Sequence, residues 1–163
     1  MVTGSLFCVA AHGLALSPKQ IVGQRVVPGL IFGAGAGLIG AGLFVTDPVA
    51  GYPPTSSDDG DESGPVAPTR GGTLHNLCAI PVFIGIPIAA LICAASAARS
   101  ADYRWASYSA GAATAMTVAT VLFGQAFDGA PRLARYGGLF QRVSITTGFG
   151  WLSALSLRAL VSA

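Results

Sequence analysis

Four polar residues stand where apolar runs begin or end and could do chemistry together: Asp47 in G-L-F-V-T-D-P, His75 in G-T-L-H-N, and Gln141 with Arg142 in G-L-F-Q-R-V. An imidazole oriented by a carboxylate can act as a general base, and a guanidinium beside them can hold a phosphate through paired hydrogen bonds. Such a set suits catalysis on a lipid or lipid-linked substrate at a membrane surface. The nucleophile is missing, however, because no serine or cysteine motif accompanies the set. One His and one Asp also fall short of the three protein ligands that a catalytic zinc needs. Neither a metal nor a cofactor is expected. The competing reading is a structural clasp with a helix stop, since Pro48 disfavours helical geometry at the residue before it.

The elements that must position these residues are membrane helices. Of the 163 residues 52% are hydrophobic and only 10% charged, against roughly a quarter charged in ordinary soluble domains, and the mean hydropathy is +0.63. The charges leave five segments almost free of them, at about 1–16, 26–45, 74–98, 105–127 and 143–160, each near the ~20 residues that a helix needs to cross the hydrocarbon. The fold class is therefore all-α, a single polytopic transmembrane bundle of about five spans. Successive crossings alternate direction, which brings the end of the second span, the start of the third and the start of the fifth to one membrane face. Asp47, His75, Gln141 and Arg142 then share that face. A carboxylate at the hydrocarbon edge is costly unless hydrated or paired, by about 3 kcal/mol, so Asp47 is expected to pair with His75 or Arg142.

Sidedness is weakly encoded. Lys19, Arg25, Arg99, Arg104 and Arg158 would lie on one side and Arg70, Arg132, Arg135 and Arg142 on the other, an almost even split under the positive-inside rule. The Asp47 face is placed outside. A net charge of +2 with scattered Lys and Arg excludes a nucleic-acid footprint.

Within the second segment Gly29, Gly33, Gly37 and Ala41 recur every fourth residue, a spacing that lets another helix backbone approach closely. An internal helix contact is favoured over a dimerisation face. The G-A-G-A-G run in the same segment lacks the strand and crossover unit of a dinucleotide site. Residues 49–73 are rich in Pro, Gly, Ser and acids and read as a flexible loop outside the bilayer; their D-D-G-D-E run lacks the alternating ligands of a calcium loop. Pro81 and Pro87 each remove a helix hydrogen bond and predict a kink in the third span. Tyr103, Trp105 and Tyr108 suit the headgroup boundary. Cys8, Cys78 and Cys93 read as small buried hydrophobes, and His12 as a packing residue.

Taken together, G-L-F-V-T-D-P before a loop, G-T-L-H-N at the next helix, Trp105 heading the fourth span and G-L-F-Q-R-V opening the last resemble DUF998, a bacterial family of integral membrane proteins of unknown function. The resemblance runs from Met1 to about Leu160 and would mark Asp47, Pro48, His75, Trp105 and Arg142. Members of that family look like six-helix proteins, which implies that this sequence lacks the first helix. No activity comes with the resemblance. The expected function is a non-enzymatic bundle in the cell membrane that binds a lipid, a small molecule, a partner membrane protein or a second copy of itself. A membrane-embedded enzyme and a small transporter are the alternatives, the latter weakened because the span interiors offer little beyond Ser and Thr.

Overall fold

The computed structural model describes residues 1–16, 25–48, 67–128, 130 and 132–162. The acidic run and most of the 49–73 segment lie outside the described residues, as does Lys19. Among the described residues every regular element is helical: α1 (Val2–Leu16), α2 (Val26–Leu43), α3 (Arg70–Ile80), a π-helical turn (Pro81–Gly85), α4 (Ile86–Arg99), α5 (Tyr103–Phe127) and α6 (Gly137–Ser162), with a short 3-10 turn at Ala134–Tyr136. α3, the π turn and α4 run on as one rod of 30 residues, so five rods make an all-α bundle.

Three rods, Val26–Leu43, Arg70–Arg99 and Tyr103–Phe127, are long and apolar enough to cross a membrane. α1, with 15 residues, is about 22 Å long at 1.5 Å per residue, short of a ~30 Å hydrocarbon core. α6 has 26 residues, long enough, but Gln141, Arg142, Arg158 and several Ser and Thr dilute its apolar character. α3 starts at Arg70, ahead of the Leu74 start read from hydropathy, because Thr69 caps it and lets the polar R-G-G-T turn become helical.

Neighbouring rods run antiparallel. α2 lies between α1 on one side and the α3–α4 rod on the other, α4 packs on α5, and α6 packs along α5 with lighter contact to α1 and α4. Ile31, Ile86, Met116, Trp151 and Leu155 are almost fully buried where these rods meet. Edge-on aromatic pairs tie distant rods together: Phe7 of α1 to Phe149 of α6, and Phe83 of the π turn to Phe123 of α5, with centroids 4.9 and 4.8 Å apart. Pro81 and Pro87 produce a widened turn within a continuous rod, as expected where a proline removes an i to i−4 bond.

The glycine contacts differ in phase from the four-residue repeat. Gly29 has open space beside it, and at Gly33 an added Cβ would meet only Pro81 at 4.0 Å. The close approaches are at Gly35, where a Cβ would fall 2.7 Å from the Gly4 carbonyl oxygen and 2.8 Å from Cys8 Sγ, and at Gly37, where it would collide with the Cys78 carbonyl. Gly40 meets Cys78 Sγ. Residues four apart drift by about 40° around a helix of 3.6 residues per turn, so a stripe from Gly29 to Ala41 winds off any straight contact line. The helix presents small residues to two neighbours on different faces, α1 through Gly35 and α3 through Gly37 and Gly40. His12, expected to pack, is exposed on α1. All three cysteines are free.

Candidate functional site

At the junction of α2 and α3 the two helix ends cap each other. α2 stops at Leu43, the chain is extended at Phe44, and Asp47 reaches across to the start of α3. Asp47 Oδ2 accepts the Thr69 backbone N–H at 3.0 Å, and Asp47 Oδ1 accepts the Thr69 hydroxyl at 2.6 Å. The same hydroxyl oxygen accepts the Gly72 N–H at 3.0 Å, the N-cap bond of α3. Any side chain at position 72 would overlap the Asp47 carboxylate, so glycine there is what allows a negative charge to sit over the positive end of the α3 dipole.

His75, one turn further along α3, does the reverse. Its Nδ1 lies 3.0 Å from the carbonyl oxygens of both Ala41 and Phe44, in and just after the last turn of α2. Two carbonyl acceptors at one ring nitrogen require that nitrogen to carry the proton. In the neutral ring the lone pair is then on Nε2. The orphan carbonyls of a helix end thus gain a donor, as the orphan amides of α3 gain acceptors.

Asp47 and His75 are therefore brought to one junction, each bonded to backbone or Thr69 and not to the other. Gln141 and Arg142 share that end of the bundle through the alternation of rods, but they sit on α6, which packs along α5. Arg142 is exposed and Gln141 half-buried. Among the described residues the sole ion pair is elsewhere, so the expected partnership of Asp47 with Arg142 or His75 gives way to Thr69 and the α3 N-terminus. The physical reason is local: a carboxylate four residues past a helix end reaches a nearby helix N-terminus more readily than a guanidinium two rods away.

The ion pair is at the opposite end. Asp102 caps α5, its Oδ1 accepting the Trp105 N–H at 3.2 Å, while its Oδ2 accepts from Arg158 Nη2 at 2.6 Å. The Trp105 backbone bond, and beyond it Arg158 with Arg104, hold the Asp102 carboxyl below its ordinary value. The Arg158 guanidinium lies 5.2 Å from the centre of the Trp105 ring, in the range of a cation–π contact. Asp102 is placed by a tight α4–α5 turn: its N–H returns to the Ala97 carbonyl at 2.9 Å and that of Ala101 to Ala98 at 3.2 Å. This pairing is the Schellman closure, with Ala101 at φ 59° where glycine is usual.

A family comparison decides what the chain is related to: the family described as Protein of unknown function (DUF998) matches residues 1–158. The chain belongs to the DUF998 family. No curated protein and no solved structure matches it. In this DUF998 chain, Asp47, Pro48 and His75 fall on the α2–α3 junction, Trp105 on the Asp102–Arg158 end, and Arg142 on the exposed start of α6. Sequence reasoning passed over Thr69, Asp102 and Arg158. The cap signals were available, a Thr before R-G-G and an Asp before Y-R-W, but the return of Arg158 from 56 residues away has no local signature.

Proposed function

We propose that this DUF998 chain is a multi-pass protein of the cell membrane that works as a non-enzymatic bundle, binding a lipid or other small amphiphile at a membrane surface. The observation that carries this reading is the use made of the Asp47 carboxylate. It is engaged by Thr69 and the α3 N-terminus, while His75 Nδ1 is engaged by the Ala41 and Phe44 carbonyls, so the two are not bonded to each other as an acid–base dyad requires. Three long apolar rods supply the membrane setting. Carbonate extraction of membranes and lipid retention through purification test the proposal. The chain should stay with the membrane pellet and keep bound lipid after detergent exchange; release into the soluble fraction would overturn it.

The enzymatic alternative rests on one feature, the lone pair of His75 Nε2 left by the Nδ1 bonds. His75→Gln, which offers a side-chain donor to the α2 carbonyls without an imidazole, would abolish turnover of a lipid-linked substrate on that reading. On the reading proposed it leaves lipid retention intact.

A further inference from the structure

Two buried nitrogens mark a second place on the molecule. Trp105 Nε1 and Arg158 Nε are the buried side-chain nitrogen or oxygen atoms without a hydrogen-bond partner among the described residues. They belong to the one ion-paired cluster, where the guanidinium stands beside the indole. Buried indole N–H groups ordinarily find an acceptor, and an unsatisfied donor is destabilising. The Asp102 oxygens do not serve them: Oδ1 takes the Trp105 backbone N–H and Oδ2 takes Arg158 Nη2, and neither bonds to Arg158 Nε or Trp105 Nε1. Those bonds fix the guanidinium and leave its Nε edge, together with the indole edge, in want of acceptor oxygens.

The surroundings select the kind of acceptor. Among the described residues this end carries Arg25, Arg99, Arg104 and Arg158 against the single carboxylate of Asp102. Tyr103 and Tyr108 are exposed beside the cluster, and the Tyr108 ring lies 5.4 Å from that of Trp105. Aromatic rings of this type favour the headgroup level, and a basic surface at that level attracts anionic lipids. A phosphate offers several oxygens to an Arg and an indole at once.

We infer that Arg158 Nε and Trp105 Nε1 bind the phosphate of an anionic phospholipid, whose headgroup parts the side chains that cover these two nitrogens and seats between the start of α5 and the end of α6. This rests on the membrane reading above and assigns lipid recognition to the end of the bundle opposite Asp47 and His75. Asp102 acts there as a positioning residue.

The test is thermal unfolding of the purified chain in detergent with phosphatidylglycerol, phosphatidylcholine or inorganic phosphate added. At a hundredfold excess over Kd, phosphatidylglycerol should raise Tm by about 5–10 °C, with little change from the other two. Trp105→Phe, which keeps an aromatic ring and loses the indole N–H, and Arg158→Lys, which keeps the charge and loses Nε, should each remove most of that rise. Arg142→Gln at the other end should preserve it. An equal rise with phosphatidylcholine, a rise reproduced by inorganic phosphate, or an undiminished rise in Trp105→Phe overturns the proposal. If carbonate releases the chain, the membrane reading itself has failed. A chain that stays in the membrane yet ignores phosphatidylglycerol has lost only this site.

Discussion

The α1–α2–α3 half and the α5–α6 half of this bundle solve the same problem by opposite means. On one side helices approach until backbones touch: Gly35 faces the Gly4 carbonyl and Gly37 the Cys78 carbonyl, with no room for a Cβ. On the other, larger side chains hold the helices with hydrogen bonds spaced along the seam. Asp102 meets Arg158, Trp151 Nε1 donates to Ser109 Oγ at 3.1 Å, and Ser144 and Thr120 share a hydroxyl bond of 2.9 Å. Where lipid removes the hydrophobic drive between helices, close packing and polar contacts are the forces that remain. The difference teaches that one apolar composition can encode two seams with distinct vulnerabilities, one steric and one polar.

The steric seam should break hardest. Gly35→Leu must push α1 off α2, and we expect a loss of about 3 kcal/mol, the upper end of the overpacking range, read as a large fall of the melting transition in detergent. Gly29→Ala, in open space on the same helix, should instead stabilise by about 0.5 kcal/mol, the helical preference of Ala over Gly. Equal behaviour of the two would mean that the α1–α2 contact is not what limits stability.

Next in size is the mutual capping of α2 and α3. Asp47→Ala removes the acceptor for Thr69 and the charge over the α3 N-terminus, and should cost about 1–2 kcal/mol. Hydrogen exchange should report faster opening at residues 69–73, with α5 and α6 unaffected.

The polar seam should yield by smaller steps. Ser144→Ala removes the bond to Thr120 and should cost about 0.6 kcal/mol, the average for such contacts between membrane helices. A double-mutant cycle with Thr120→Val checks that the loss belongs to the pair.

Acid should distinguish the seams with the smallest effect of all. The Asp102 carboxyl is held below its ordinary value of 3.8, so the folded state favours its charged form. That contribution is present in full above the ordinary value and is lost as pH falls through the lower folded-state value. Melting followed from about pH 5 downward should therefore drop more steeply in the natural chain than in Asp102→Asn. A parallel fall in both would assign the acid sensitivity elsewhere.

Much of the architecture is legible in the residues because hydropathy is a property of long windows. Long apolar runs give the α2, α3–α4 and α5 rods, and two prolines in one run give its π turn. Gly29 shows where such reading stops. A repeat of four looks like a single stripe in one dimension, whereas the helix turns 3.6 residues per cycle, and which small residue meets a neighbour depends on where that neighbour crosses. The junction was half legible. Asp47 and His75 could be singled out as misplaced polar residues, but their partners are a threonine and two backbone carbonyls, which carry no mark in a sequence. Arg158 illustrates the rest: its role depends on the antiparallel return of α6 along α5.

The bonds from Thr69 to Asp47 have one more consequence. They fasten two points of the chain that are 22 residues apart, so the two ends of the intervening stretch are held at a single place. The closing bonds are made by Asp47 and Thr69 at its ends. Lengthening that stretch with a flexible insert adds only slowly to the entropy of closing it, about 0.6 kcal/mol for each doubling. The α2–α3 junction is therefore a natural port, a position where an epitope, a fluorescent domain or a reporter peptide can be spliced in while the two helices on either side stay in register.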